Sequence, residues 1–300
     1  DETELRGFSA RVLGNDSVPV LNTIPGDPVD PFAVVPDDSF TDREWSGKIG
    51  LDFTLDSGTL LYGLYSRGYR SGAYNAQAFL EPAELSRVEP EIVNSFEVGF
   101  KSELLEGRMR LNGAAFHYDY ENQQFLNVDT ATLAQTLINI EESTVTGLEL
   151  ETTVLITDAL TMRAGLGIID SEVEKGVLSG VDLAGNELLL APGVNFNFSV
   201  DWTVFDHSLG SLSVLADGSY LDDHYFEIFN LDRLKQEAYW LWNGRLQFDS
   251  AEETWGVAVW GKNLLDEEYR TSAIDLSDFG YDYSHIGAPR TYGVEFMYRF

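Results

Sequence analysis

The sequence has no cysteine, which excludes a disulfide framework and any zinc or iron–sulfur site built on cysteine thiolates. It has no run of 18 or more apolar residues, so it encodes no transmembrane helix. Basic residues are scarce, since 19 lysines and arginines stand against 50 aspartates and glutamates, and the formal net charge is −31. Nucleic acid is therefore not an expected partner, because phosphate binding needs clustered basic side chains.

Side-chain sets for catalysis are also missing from the sequence. The four histidines are His117, His207, His224 and His285. None has the spacing of a metal site or lies next to a nucleophile motif, and no glycine-rich phosphate loop follows a strand. Glu149 and Glu151 lie two residues apart on one face of a predicted strand, which is typical of hydrated wall residues. The sequence predicts no catalytic residue, no metal site and no cofactor.

The end of the chain, residues 289–300, alternates strictly between large apolar and small or polar side chains. The large set is Tyr292, Val294, Phe296, Tyr298 and Phe300. Period-two alternation of this length predicts a β-strand with one apolar face. A chain that ends on an aromatic residue is typical of the closing strand of an outer-membrane β-barrel, although the edge strand of a soluble sandwich has a similar pattern.

The same alternation recurs along the chain. The predicted strands are 5–13, 45–55, 59–69, 92–102, 108–120, 138–155, 160–170, 189–204, 211–221, 238–248, 254–263 and 289–300. Long loops and short turns alternate between them. This pattern predicts an all-β fold, an antiparallel transmembrane β-barrel of about 12 strands with long outer loops and short periplasmic turns.

Two strands have face assignments that the later description tests. In 59–69 the pattern puts Leu60, Tyr62 and Leu64 on the outward face. In 108–120 the apolar residues change parity between Leu111 and Phe116, which predicts a β-bulge or an aromatic girdle position.

Several ordered stretches resemble the barrel of TonB-dependent outer-membrane receptors. They are Ser66-Arg-Gly-Tyr-Arg-Ser-Gly72 with Tyr74-Asn75, Ser95-Phe-Glu-Val-Gly-Phe-Lys101, Gly107-Arg-Met-Arg-Leu-Asn112, Gly147-Leu-Glu-Leu-Glu151, Gly261-Lys-Asn-Leu-Leu-Asp-Glu-Glu-Tyr269 and Gly287-Ala-Pro-Arg-Thr-Tyr-Gly293. The resemblance covers the chain from about Trp45 onward. It implies a plugged barrel of about 22 strands that takes up a scarce nutrient, most often a ferric siderophore.

The sequence departs from that family in strand number, because about 12 strands are predicted and neither a plug domain nor an energy-coupling segment is recognised. We therefore interpret residues 1–300 as the C-terminal part of one barrel domain, with 289–300 as an open edge. Pairing of 289–300 with 5–13 would instead favour a self-closed, 12-stranded passive porin. An enzyme on such a barrel is a third hypothesis.

Candidate ligand-binding residues are aromatic, amide and basic side chains near predicted strand mouths. They are Arg67, Tyr69, Arg70, Tyr74, Asn75, Gln77, Tyr118, Tyr120, Gln123, Gln124, His224, Tyr225 and Tyr239. Anchoring of loops, or an aromatic interface belt, explains the same residues as well. Acidic residues dominate the late loops, which predicts a mouth that prefers neutral or cationic ligands over anionic ones.

The resemblance also implies partners and a location. A receptor of this kind lies in the outer membrane of a Gram-negative bacterium, among lipopolysaccharide and other outer-membrane lipid. It binds a small-molecule ligand such as a metal chelate, and the TonB–ExbB–ExbD complex drives it through the plug. Tyr292, Val294, Phe296, Tyr298 and Phe300 would carry the signal for the barrel assembly machinery.

Overall fold

The computed structural model describes residues 2–5, 38–75, 87–128 and 135–300, of which 2–5 and 38–40 are described by their backbone alone. Most of them form one antiparallel sheet of eleven strands in which neighbours in the chain are neighbours in the sheet. The strands are β1 (Gly47–Thr54), β2 (Leu60–Arg70), β3 (Glu91–Leu104), β4 (Met109–Val128), β5 (Gln135–Thr157), β6 (Leu160–Lys175), β7 (Val194–His207), β8 (Gly210–Leu221), β9 (Tyr239–Ser250), β10 (Trp255–Lys262) and β11 (Thr291–Tyr298). Within these ranges, no helix is long and apolar enough to cross a membrane.

The predicted alternation of connections is confirmed. The short turns span residues 55–59, 105–108, 158–159, 208–209 and 251–254, and all of them lie at one end of the sheet. The long connections lie at the opposite end, the long-loop end. Their small elements are the strand pairs Ala73–Tyr74 with Arg87–Val88, Val177–Leu178 with Val181–Asp182, His224–Tyr225 with Lys235–Gln236 and Arg270–Leu276 with Tyr281–Ile286, and the 3₁₀ turns Asp232–Leu234 and Ser277–Phe279. A separate pair joins Glu2–Leu5 to Asp38–Thr41.

One side of the sheet, the apolar face, carries the large side chains predicted for the last strand. On β11, Tyr292 is 80% exposed and Val294 73% exposed. The ladders carry this face across the sheet, because Val294 pairs with Val259, Val259 with Leu246 and Leu246 with Val214. Residues of the other parity form the polar face. The apolar face of this sheet is therefore exposed, whereas a soluble domain buries the apolar face of its sheets.

The predicted faces of β2 are wrong. Leu61 pairs with Phe100 on the apolar face, and Tyr65 lies four residues farther along on the same side. Tyr62 lies on the polar face, where its hydroxyl donates a hydrogen bond to Glu97 at 2.7 Å. Large side chains occur on both faces of β2, so hydrophobicity alone assigned the outward face to the wrong set of residues. The hydroxyl of Tyr62 favours the polar face.

The bulge predicted in β4 is also absent from the described ladder. β4 pairs with β3 from Met109 to Glu121 without a register shift. Phe116 instead lies on the polar face, only 8% exposed, so it is not an aromatic girdle residue. A Cβ atom at Gly147 would lie 2.4 Å from the Phe116 ring, so this position has room only for glycine. The loop predicted near 121–137 is mostly strand, because β4 and β5 continue to Val128 and from Gln135.

The two outer strands of the sheet are β1 and β11. Within the described part of the chain, each has a ladder neighbour on one side only. Eleven of the predicted strands are confirmed as members of this sheet. Residues 6–13 lie outside the described residues, so pairing between them and β11 stays a question for experiment.

Candidate functional site

The long connections pack into one assembly, the loop platform, which comprises residues 121–128, 135–145, 171–193, 222–238 and 263–290. Its core is a cluster of buried apolar side chains, namely Ile140, Val173, Leu183, Leu188 and Ile228. Phe125 and Phe229 pack against this cluster from its edges. Residues from β5, β6 and two long loops thus share one core at the end of the sheet.

Side-chain to backbone hydrogen bonds join two of these loops. Asn230 accepts a bond from the amide of Glu187 at 2.6 Å and donates one to the carbonyl of Glu187 at 3.0 Å. Asn186 donates to the carbonyl of Ile228 at 2.9 Å. Asn230 has a φ of 54°, a left-handed conformation that asparagine tolerates better than most residues. The two loops are therefore held in a fixed relative position.

Ion pairs and hydrogen bonds attach the hairpin 270–286 to the same loops. Arg233 contacts Asp275 at 2.6 Å and Asp282 at 3.3 Å. Arg270 donates to the carbonyls of Arg233 and Lys235 at 3.0 and 3.2 Å. Lys235 also forms an ion pair with Asp223. Much of the local acidic charge is therefore paired inside the platform.

Two carboxylates of the platform have shifted pKa values. Burial raises the pKa of Glu227, although its carboxylate accepts hydrogen bonds from the amides of Phe229 and Leu231, each at 2.7 Å. Burial acts in the same sense on Asp275, but hydrogen bonds from Ser277 and the charge of Arg233 outweigh it and lower the pKa of that carboxyl. The two acids, which lie on the same cavity, therefore differ in their affinity for protons.

A cavity of about 190 Å³ lies between the loops of the platform. Phe125, Phe226 and Phe229 supply aromatic walls, and Glu227 and Asp275 supply carboxylates. Aromatic walls with a few convergent polar groups are typical of small-molecule sites. Both carboxylates are already paired, Glu227 with backbone amides and Asp275 with Ser277 and Arg233, so this cavity suits an aromatic or apolar group.

A second cavity, of about 400 Å³, lies against the polar face. Arg245 contacts Glu295 at 2.8 Å across β9 to β11, and Asn243 donates to Asp217 at 2.6 Å. Trp260 forms part of the same wall. Charged and amide groups that are already paired in this way give this side of the sheet a polar wall.

Two of the candidate binding residues in β2 lie on the outward side. Arg67 and Tyr69 share the parity of Leu61. The guanidinium of Arg67 lies 4.9 Å from the ring centre of Trp45, 3.4 Å from Glu44 and 3.2 Å from Asn94. These contacts fix the side chain against the outer wall rather than in the mouth. Arg70 has the opposite parity and is exposed at the end of the strand.

Another group of candidates ties loops to strands. Asn75 is 2% exposed and donates to the carbonyl of Gln135. Gln124 is 7% exposed and bonds the carbonyls of residues 71 and 89. Gln123 accepts a bond from Ser143 at 2.5 Å. Tyr74 lies in the short strand pair beside them. Gln77 lies outside the described residues.

The remaining candidates divide between the polar face and the platform. Tyr118 and Tyr120 lie on the polar face, where Tyr118 stacks on Phe116 at 4.8 Å. His224 is 5% exposed, and Tyr225 lies beneath Lys235 at 5.3 Å. Tyr239 stacks on Tyr269 at 4.7 Å. The structure thus distributes the candidates over three regions and brings no more than a few of them together.

Sequence reasoning did not single out Phe125 and Phe229 of the platform cavity. Phe229 lies in a connection that was predicted only as a long loop. The signal was present in the run Tyr225-Phe-Glu-Ile-Phe229, because four large apolar residues in a surface loop indicate burial against a partner. Among the described residues, no group of three or more histidine, aspartate or glutamate side chains could hold a metal ion.

An antiparallel sheet that is apolar outside and polar inside, with short turns at one end and an elaborate loop assembly at the other, defines a transmembrane β-barrel protein. Comparison with known proteins gives the family: residues 17–264 match the family described as TonB dependent receptor-like, beta-barrel. The chain belongs to this family. It is an outer-membrane protein of a Gram-negative bacterium, so its apolar face meets lipid and its polar face lines the lumen.

Two curated relatives and one solved structure illustrate the similarity. The probable TonB-dependent siderophore receptor PiuA of Acinetobacter baumannii is 30% identical over 151 residues, which cover 48% of this chain and 19% of that protein. The ferric-pyoverdine M114 receptor PbuA of Pseudomonas sp. strain M114 is 24% identical over 250 residues, or 81% of this chain and 28% of PbuA. The ferric yersiniabactin uptake receptor FyuA of Yersinia pestis matches with a TM-score of 0.74 at 22% identity, covering 86% of this chain and 38% of FyuA. The chain spans less than a third of the length of either curated relative.

Proposed function

We propose that the chain is part of an outer-membrane receptor that actively takes up a ferric siderophore with energy from TonB. The observation that carries the proposal is the polar inner wall beneath a rigid loop platform with its own aromatic cavity. The names of PiuA, PbuA and FyuA, which are siderophore receptors, support the ligand class. Family members are transporters and receptors, and we infer no enzymatic role for this one.

We further propose that residues 1–300 are the C-terminal part of one larger barrel domain. Among the described residues, β1 and β11 each have a ladder neighbour on one side only, which supports this idea, because an open edge in a membrane leaves backbone groups without hydrogen-bond partners. A plug domain elsewhere in the receptor would contact TonB–ExbB–ExbD. The last strand would supply the signal for the barrel assembly machinery, and lipopolysaccharide would surround the outer wall.

Uptake of iron-55 complexes by intact cells tests the main proposal. Cells with the complete gene should accumulate one chelate of a panel of hydroxamate, catecholate and phenolate complexes, and deletion of tonB or addition of a proton uncoupler should abolish that accumulation. Uptake that survives both treatments, together with conductance in planar bilayers without an energy source, would favour the passive porin instead.

Ligand titration of the purified receptor tests the role of the platform. Alanine at Phe226 or Phe229 should weaken binding if the aromatic cavity holds part of the ligand, whereas alanine at Tyr69, which is on the outward face, should not. The acidic mouth predicts tighter binding of neutral or cationic chelates. Tightest binding of a strongly anionic chelate would contradict that preference.

A further inference from the structure

The cavity between the loops of the platform is too small for a complete iron chelate but large enough for one ring. Its volume is about 190 Å³, whereas sites that enclose a whole drug-sized ligand measure about 300–1,000 Å³. An apolar cavity of about 150 Å³ is enough to bind benzene. The platform cavity therefore fits a single six-membered ring with a small substituent.

The aromatic walls of this cavity are held in place by the protein itself. Phe226 packs edge-on against the ring of His224, with centroids 5.3 Å apart and planes at 74°. His224 is 5% exposed and donates through Nδ1 to the carbonyl of Asp222 at 3.1 Å, so it fixes the position of Phe226. Phe125 and Phe229 pack against the buried core cluster of the platform. A ring that enters such a cavity binds without the entropy cost of ordering the walls.

One end of the cavity opens at the surface of the platform. Leu126 is 51% exposed, Ile274 is 37% exposed, and both line the cavity. Leu126 lies on β4 and Ile274 lies on the hairpin 270–286, so the opening separates two elements. A ring that enters between them can stay attached to a larger group outside.

The charges of the described lining favour an uncharged ring. Glu227 and Asp275 are the charged side chains in that lining. The two oxygens of Glu227 accept hydrogen bonds from two backbone amides, each at 2.7 Å. Asp275 accepts one from the amide of Ser277 at 2.9 Å and contacts Arg233 at 2.6 Å. Because these oxygens already have donors, a cationic ring would lose its water without gaining a free counter-ion, and an anionic ring would meet two carboxylates.

We propose that the platform cavity binds one uncharged aromatic ring that projects from the ferric chelate and does not coordinate its iron. A catecholate or phenolate that coordinates iron is deprotonated and lies inside the metal complex, so it is neither uncharged nor free to enter this cavity. The inference rests on the proposed uptake of a ferric siderophore and narrows it to chelates that carry a free aryl group.

Fluorine NMR of the complete receptor in lipid nanodiscs tests the cavity with small probes. The uncharged probe is para-fluorobenzyl alcohol, and para-fluorobenzoate and para-fluorobenzylammonium are an anionic and a cationic ring of similar size. The signal of the alcohol should broaden on addition of the receptor, and either ion should bind weaker by about tenfold or more. Binding of either ion as tight as that of the alcohol would overturn the assigned charge.

Three variants locate the bound probe. Ile274→Trp adds a ring at the opening and should abolish the broadening, whereas Ile286→Trp, the same change at an exposed position of the same hairpin outside the described lining, should leave it unchanged. Phe226→Leu keeps an apolar wall but removes its ring, which should weaken binding about two- to tenfold. Binding that stays at the wild-type level in both Ile274→Trp and Phe226→Leu would refute the site, and so would an equal loss in Ile286→Trp.

The iron-55 uptake assay separates this inference from the proposed function. TonB-dependent uptake of a chelate by a receptor that does not bind the alcohol would refute the ring site alone. Binding of the alcohol at the cavity without TonB-dependent uptake of any ferric chelate would refute the proposed uptake and leave a site for an aromatic ring.

Discussion

The barrel wall and the loop platform bury their apolar residues in opposite ways. In the wall, large side chains such as Val294 and Phe296 are mostly exposed at the protein surface, because lipid is their partner. In the platform, Ile140 and Leu183 are each no more than 1% exposed, as in the core of a soluble domain. The apolar residues of the wall thus contact lipid, and those of the platform contact protein. The boundary between the two regions lies where the strands leave the membrane.

The sources of stability differ accordingly. The wall is held by continuous backbone ladders, which a membrane makes obligatory because no water can satisfy an unpaired amide. The platform is held by a small core, by the Asn230 bridge and by the ion pairs of Arg233. The effect of a substitution in the wall on stability should therefore depend on the face that carries the residue. In the platform it should depend on the individual contacts that the residue makes.

The largest expected effect is that of a charge placed on the lipid side of the wall. Val214→Arg, in the middle of β8, should destabilise the folded chain by about 2–4 kcal/mol, because the guanidinium must enter hydrocarbon. Ser213→Arg is the matched control, since the preceding residue faces the lumen beside Gln247. Urea unfolding in lipid vesicles, followed by tryptophan fluorescence, measures both. Equal effects would contradict the assignment of faces.

A smaller effect is expected from overfilling the wall. Gly218→Leu should cost about 1–3 kcal/mol, since the new side chain would collide with the rings of Phe198 and Trp242. The corresponding change Ala115→Leu lies on the apolar cavity of about 650 Å³ that Ala115 lines with Val98 and Leu148, so it should change the free energy of unfolding little. The same unfolding assay separates the two variants, and a larger loss at Ala115 would show that its side chain has no free space.

The contrast between wall and platform also explains which features of the fold could be predicted from the sequence. The faces of β11 were predictable because period-two alternation is the direct consequence of strand geometry. The faces of β2 were not, since Tyr62 counts as apolar by composition but reaches Glu97 with its hydroxyl. The prediction of a bulge in β4 was wrong for a related reason. The ring of Phe116 occupies the space above Gly147, and Gly147 lies on the neighbouring strand β5.

The platform was the least predictable region because its contacts have no period. Phe229 lies in a segment that was predicted only as a long loop, 222–237. Asn75 and Gln124 were predicted as candidate ligand contacts and are instead buried beside the backbone of other loops. Amide side chains suit both roles equally, so only the fold could indicate which carbonyls they face. Their part in ligand binding stays a prediction.

A change within the platform should have a local effect. Asn230→Ala removes both hydrogen bonds to Glu187. The free energy needed to open these loops locally should therefore fall by about 1–3 kcal/mol. Asn230→Gly loses the bonds but keeps the left-handed backbone, so the difference between the two variants isolates the backbone term. Hydrogen exchange of the Glu187 amide provides the measurement. Faster exchange along β8 and β9 as well would contradict the independence of wall and platform.

The smallest expected effect is a pH dependence confined to the platform. Burial raises the pKa of Glu227, so its protonated form is favoured by folding. The stability it contributes is fully present below the unfolded value near 4.5 and is lost as the pH rises through the folded pKa. Amide exchange of residues 225–231, corrected for its intrinsic pH dependence, should therefore be slower at about pH 5 than at about pH 7. Glu227→Gln should remove this difference. A pH difference that persists unchanged in Glu227→Gln would contradict the assignment.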